Sequence, residues 1–342
     1  MYLKAWSQGN KIWSYPLVVP DSRVPTWRKE SIKNTAFRKD LYIRIDENRE
    51  LDDIEHYFDK EIEAPAMLPL KKAIEGEVLT NEDIHRLVRF VAAQSIRTPA
   101  WYLKNYPNWM KTLPSIFENT LNDISKELSE LSTLETPLLD ELPQVENDTL
   151  TELFPIKVTR TGIQEDNKEF ISVESIIGKG MWFFFMKRLT DHTYKILLEH
   201  DWKVISAAQG INWPTSDDPV ICLSYYGKDN YDFGGGWGRN GCEIFLPISP
   251  NKILYTQVGE KITFNQFDIR TSELVEKLII EHAHRKVYGI SPNGKVKSIR
   301  GRIESSAVYN DEIQEFNNWH TKYMESEKEY TQHAKSMLDE EQ

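Results

Sequence analysis

A chain of 342 residues with 40% hydrophobic and 28% charged side chains has enough apolar material for a core and too much for a disordered protein. Its 53 acidic against 42 basic side chains leave a net charge of -11, which excludes a broad attraction to nucleic acid or anionic membrane and confines any polyanion to a local basic cleft. Only two cysteines, Cys222 and Cys242, are present, so no disulfide framework is expected and a cytoplasmic location fits; the longest apolar run, Met181 to Met186, is far too short to span a bilayer.

From the N-terminus, LKAWS and IWSYPLVV flank Gln8-Gly9-Asn10, the pattern of two strands joined by a hairpin turn. Asp46 to Gly76 reads as helical, with Leu51, Ile54, Tyr57 and Phe58 at helical spacing until Pro65 and Pro69 kink or break it. Thr80 and Asp83 form a capping-box pair ahead of an apolar stripe of Ile84, Leu87, Val88, Val91 and Ala92, and Pro99 ends that helix. A second long helix is expected from about Pro114 to Leu131. Glu135 to Asn167, acidic and proline-rich, reads as a surface connection, and about Val173 to His200 turns helical again around MWFFFM.

After Trp202 the period shortens. WKVISAA, PVICLSY, CEIFLPIS and KILYTQV are β-branched or aromatic runs separated by turn residues, which predicts a mainly antiparallel sheet near 202–258. A helix follows over Phe267 to His284, and Asn310 to Gln342 reads as an exposed, charged helical tail. The expected class is α+β, as one large domain over 1–342: an N-terminal hairpin, a helical block at about 46–200, a sheet block at about 202–290 and C-terminal helices.

Three places could carry chemistry. Pro219 pushes Asp218 toward an extended backbone, so Thr215-Ser216-Asp217-Asp218-Pro219 puts one or two carboxylates at a strand end, able to hold a hard cation or act as a base. Asp217 is the preferred member, and the competing reading is a side-chain-stabilised turn. Gln94 and Arg97 are neighbours at a helix end, where Arg97 either satisfies the last carbonyls or holds a carboxylate or phosphate in a two-pronged grip. Glu63, ahead of the proline-broken segment, is a solvated helix residue unless it meets Arg97 or Asp217 in space.

Other classes are disfavoured. Gly236 to Gly241 matches a dinucleotide fingerprint in letters, but a strand-like run follows it instead of a helix, so it reads as a flexible loop or lid with Trp237 and Arg239 as contacts. His282 and His284, two apart, cannot share a helix face, and no histidine has zinc-ligand spacing. There is no nucleophile elbow, no phosphate loop and no local cysteine-nucleophile signature. Neither NAD, haem nor structural zinc is expected.

Tyr2-Leu3-Lys4-Ala5-Trp6, Asp40-Leu41-Tyr42, Glu63, Gln94-Ser95-Ile96-Arg97-Thr98-Pro99, Thr215 to Val220 and Phe245 to Pro250 together resemble the bacterial family called domain of unknown function 4238, over about residues 1–290. The resemblance implies that Gln94, Arg97, Asp217 and Glu63 stand at the family's recurrent polar positions, and it carries an association with mobile-element and phage-defence settings. The given sequence opens at Met1-Tyr2 without the family's His-Tyr-x-Pro-Gln stretch: either the start has been trimmed or this member lacks that histidine, the natural base or metal ligand, and its loss would weigh against catalysis.

The expectation is a hydrolase that cleaves phosphodiester bonds of a nucleic acid or nucleotide. Asp217 and Glu63 would be the carboxylates for a base or a divalent cation such as Mg²⁺, with Gln94 beside them. Arg97 would clamp phosphate, with Ser216, Trp237 and Arg239 against the substrate, and Lys187 and Arg188 adding positive potential. The alternative is a non-catalytic sensor or interaction protein, docking a protein partner, in which Arg97 and Asp217 form a buried pair tying helices to sheet.

Overall fold

A computed structural model describes residues 2–33, 35, 44–46, 49–51, 53–131, 156–163, 168–175, 179–227, 229–314 and 318. After a 3₁₀ turn at Tyr2–Trp6 come strands β1 (Lys11–Pro16), β2 (Val18–Val19), β3 (Arg28–Ser31), β4 (Arg44–Asp46) and β5 (Arg49–Leu51). The helical block holds α1 (Asp53–Tyr57), a π-helical turn at Phe58–Glu63, α2 (Ala64–Glu75), α3 (Asn81–Ile96) and α4 (Pro99–Leu131), then the hairpin β6 (Ile156–Ile163) and β7 (Lys168–Ser175), and α5 (Lys179–Leu197). The rest is β8 (Lys203–Ser206), β9 (Thr215–Ser216), β10 (Ile221–Gly227), β11 (Asn230–Asp232), β12 (Glu243–Ser249), β13 (Lys252–Gln257), α6 (Ile269–His282), β14 (Lys286–Gly289), α7 (Lys295–Ile299) and β15 (Ile303–Glu304).

The fold is α+β. β11-β10-β12-β13-β8 form one antiparallel sheet from the strand-like runs of the sequence, while β3-β1-β14-β9 form a second. One face of the first sheet, through Cys222, Ile244, Leu246 and Leu254, joins the same hydrophobic cluster as Leu87, Val91, Met181 and Trp182 of the helices. Its other face, through Ile221, Leu223, Phe245 and Ile253, packs on Val275, Leu278 and Ile279 of α6. The alternation of β10 and β12 residues between two cores is the period-two signature of a strand buried on both sides.

The local rules that shape the helices are visible. Thr80 Oγ1 accepts from the Asp83 N–H at 3.1 Å while the Asp83 carboxylate accepts from the Thr80 N–H at 3.0 Å, so the expected capping box closes. The Asp83 carboxyl, also bonded by Lys72, is held down at about 2. The break expected at Pro65 is a widened π-helical turn, which absorbs the missing proline N–H just ahead of α2.

Several details differ from expectation. Gly9 and Asn10 have φ of 56° and 64°, as a type I′ turn requires, and Gln8 bridges Lys11; the arm before it, however, coils into the 3₁₀ turn, and β1 pairs instead with β3 and β14. The second long helix starts at Pro99, not about Pro114, because a proline without an N–H is at home in a first helical turn. Residues 156–163 and 168–175 pair as a hairpin where a surface connection and a helix start were expected, so α5 begins only at Lys179. The core of the expected connection, 132–155, lies outside the described residues, as do Asp40 to Tyr42 and most of the tail beyond the helical 306–314.

Candidate functional site

The end of α3 meets β9 and the end of α6 where the helical block rests on the sheets. Phe90 and Gln94, four residues apart, share a face of α3, and Thr98 continues that row just past the helix end. Phe90 faces the Tyr2 ring at 6.2 Å. The Tyr2 hydroxyl donates to the Pro247 carbonyl at 2.5 Å and shares a hydrogen bond of 2.7 Å with Thr215 Oγ1, and burial pushes the phenol above its ordinary range. Trp6 Nε1 donates to the Trp213 carbonyl at 2.9 Å. The Tyr2/Trp6, Thr215 and Pro247 positions of the sequence pattern therefore converge.

At the other end of the row, Thr98 Oγ1 accepts from the Trp101 N–H at 3.2 Å, capping α4, and donates to Asp218 Oδ1 at 3.1 Å. His282, the last residue of α6, closes on the same carboxyl. Its Nδ1 lies 2.9 Å from the Asp218 carbonyl, which can only accept, so Nδ1 carries the hydrogen and Nε2 is the open nitrogen of the neutral ring. Nε2 stands 3.8 Å from Asp218 Oδ2, and the Phe233 ring flanks the imidazole at 5.0 Å.

Burial pushes the Asp218 carboxyl up to about 6. The facing His282 opposes that rise, Asp217 adds to it, and the Thr98 hydrogen bond and the field of Lys104 oppose it more weakly. The side chains of His282 and Asp218 remain 16% and 17% exposed, so the pair is recessed but reachable. An oxygen placed beside both Nε2 and Oδ2 can exchange a proton with either.

Gln94 is 5% exposed, and its amide makes no hydrogen bond among the described residues, although it lies on α3 between the Phe90–Tyr2 and Thr98–Asp218 contacts.

Asp217, the preferred carboxylate of the sequence reading, does different work. Its Oδ1 accepts from the backbone N–H groups of His284 and Lys286 at 3.0 and 3.2 Å, and Oδ2 from Arg285 at 2.9 Å. Its own N–H donates to the Lys286 carbonyl at 3.2 Å. Ser216 Oγ donates to the Asp218 carbonyl at 2.8 Å and accepts from the Asp218 N–H at 3.2 Å, the side-chain turn weighed as the alternative. Asp217 thus nails the α6–β14 connection to β9 and turns Asp218 the other way.

Arg97 and Glu63 do meet. The guanidinium Nη1 donates to Glu63 Oε1 and its Cζ lies 5.8 Å from the Phe58 ring centre, both partners being on the π-helical turn that Pro65 enforces. Both side chains are about three-quarters buried. Glu63 and Asp217 are not bonded to each other among the described residues, and a contact across the seam is made by Thr98, next door to Arg97. Among the described residues no group of three or more His, Cys, Asp or Glu side chains is placed to hold a metal ion, so Asp217 and Glu63 are not brought together as ligands.

The glycine-rich loop is packed down rather than standing free. A β-carbon on Gly235 would come within 2.9 Å of the Cys222 and Leu223 backbone, the Gly236 N–H points at Cys242 Sγ at 3.4 Å, and His200 Nε2 bonds the Trp237 carbonyl at 2.6 Å. Trp237 leans on the main core, whereas Arg239 is exposed. Lys187 and Arg188 lie over the rings of Tyr57 and Phe184. The free thiols Cys222 and Cys242 are buried, and burial pushes Cys222 up to about 12, too high for a nucleophile.

Sequence reasoning placed Asp218 second to Asp217 and passed over His282 and Thr98 as site residues. Pro219 was a signal for Asp218, and Thr98 stood inside the quoted motif; His282 could have been found only as a histidine ending an amphipathic helix. The class defined by fold and site is an α+β protein with a recessed carboxyl–imidazole pair at a helix–sheet seam. The sequence model of the family described as "Protein of unknown function (DUF4238)" matches residues 1–293, and the chain belongs to that family. No curated protein and no solved structure matches it.

Proposed function

We propose that the protein is a hydrolase whose proton-transfer group is the Asp218–His282 pair and whose substrate is a phosphodiester of a nucleotide or nucleic acid. The observation that carries this reading is the 3.8 Å approach of Nε2 to Oδ2, with burial pushing the Asp218 carboxyl up to about 6, so that an oxygen bound between them has a proton donor and acceptor at hand. Neutral His282 takes the proton of an attacking water through Nε2, and Asp218 stabilises the imidazolium. Lys104, exposed on α4 with its field reaching Asp218, supplies positive charge for the phosphoryl oxygens, and Gln94 supplies an amide. Arg97 and Glu63, engaged with each other, position the end of α3.

The phosphodiester is chosen over other esters because of that cation and because the family resemblance points toward phage-defence settings. Two unbridged, buried cysteines favour a reducing cytoplasm. No helix among the described residues is long and apolar enough to cross a membrane.

Turnover of bis(p-nitrophenyl) phosphate and of short RNA and DNA oligonucleotides, with Mg²⁺ or with EDTA, tests the reading. Activity should fall by about 10²–10⁴-fold in His282→Asn and Asp218→Asn, the range for loss of a proton-transfer group. A chain that cleaves none of these, or a His282→Asn variant as fast as the parent, would refute it. The second reading is a structural junction, favoured by the way Thr98, Asp218 and His282 bond three elements together. It predicts that the same variants lose stability and nothing else.

A further inference from the structure

A cavity of about 250 Å³ opens between the π-helical turn, α3 and α5, lined by Glu61, Ile62, His85, Arg86, Arg89 and Tyr194. Its two guanidinium groups are unequally engaged. Arg86 Nε donates to Glu82 at 3.0 Å along the surface of α3. Among the described residues Arg89 reaches only Tyr57 Oη at 3.5 Å and Asp191 Oδ1 at 3.4 Å, and its Nε is sealed from solvent with no partner there. Charge-assisted bonds from guanidinium to oxygen are normally about 2.7–2.9 Å long, so this cation makes no full hydrogen bond in any direction.

The other donors facing the space are equally idle. His85 and Tyr194 have no hydrogen-bond partner among the described residues. The neighbouring carboxylates sit toward solvent: Glu61, Glu82 and Asp191 are 46%, 66% and 51% exposed, against 32% for Arg89. The Arg89 guanidinium and the Tyr194 phenol are partly buried in the cavity wall, whereas the His85 imidazole stands exposed at its mouth with Glu61 and Glu82.

We propose that this cavity binds a small oxyanion, a phosphate or a carboxylate carrying a compact organic group, gripped by the fork of Arg89 with His85 and Tyr194 as further donors. A modest turn of the guanidinium exchanges two long contacts for a two-pronged bond, and Asp191 stays solvated on the surface. The site shares no residue with the Asp218–His282 pair and stands whether or not that pair is catalytic.

Calorimetric titration of the full chain with sodium phosphate, and separately with sodium acetate, at ionic strength matched with chloride, tests the proposal. Saturable one-to-one binding of at least one anion is expected, about 10-fold weaker or more in Arg89→Met and weaker also in His85→Ala and Tyr194→Phe. Tighter phosphate assigns a phosphoryl ligand, and tighter acetate assigns a carboxylate. Arg89 makes only long contacts, so Arg89→Met should melt close to the parent; should it not fold, the exposed-site variant His85→Ala combined with Tyr194→Phe carries the comparison. Absence of saturable binding to the parent chain, or binding unchanged in the variants, overturns the proposal.

Discussion

Two adjacent carboxylates divide the molecule's seam into two regions with opposite chemistry. Asp217 faces the α6–β14 connection, where three backbone N–H groups spend its oxygens. Asp218 faces Thr98 and His282, where one hydroxyl bond and a ring nitrogen at 3.8 Å leave it incompletely satisfied and its carboxyl pushed up to about 6. Satisfaction makes a scaffold and its absence leaves a strained carboxyl, even one residue apart.

The sharpest way to break that comparison is to remove the scaffold member. Asp217→Ala orphans three N–H groups in a partly buried loop and should cost roughly 3–5 kcal/mol by urea unfolding, since each bond to a charged acceptor is worth about 1.5–3 kcal/mol and the losses overlap. A loss under about 1 kcal/mol would show that the loop holds itself.

Asp218 should respond to pH instead. Its carboxyl titrates higher in the folded chain than the ordinary 3.8, so its contribution to stability is complete below that value and is lost as pH rises through about 6. The loss is roughly 3 kcal/mol at most, from about 1.36 kcal/mol per pH unit. Asp218→Asn should therefore gain on the parent between pH 4 and pH 7 in chemical unfolding, and parallel curves would mean the carboxyl is not strained. The Arg97–Glu63 pair should matter less: Arg97→Met or Glu63→Gln each costs about 1–2 kcal/mol, because solvent reaches both partners. A double-mutant cycle with Asp217→Asn should show no coupling. Smallest is Thr98→Ala, about 1 kcal/mol for the lost α4 cap, with the Asp218 titration moving further up.

Much of this arrangement was open to reading. The capping box, the four sheet strands after Trp202 and the helix ending at His282 follow from local patterns that the structure leaves intact. Glu63 and Arg97 were singled out separately, and their meeting depends on a π-helical turn that no hydrophobic period announces. Asp217 was preferred over Asp218 without a local reason, because adjacent side chains on an extended backbone point to opposite sides and only the tertiary neighbours decide which side is the scaffold. The α6 histidine was passed over because it was tested for a partner on its own helix, whereas its partner comes from another element. The hairpin at 156–175 was hidden by an acidic, proline-rich flank that dominated its neighbourhood.

Gly235 lies flat against β10, and two residues before it Phe233 walls one side of the His282 imidazole. Any exchange that adds a β-carbon at 235 prises this strap off the strand and drags the aromatic wall with it. A saturation screen would then score an innocent glycine among the most sensitive sites in the chain.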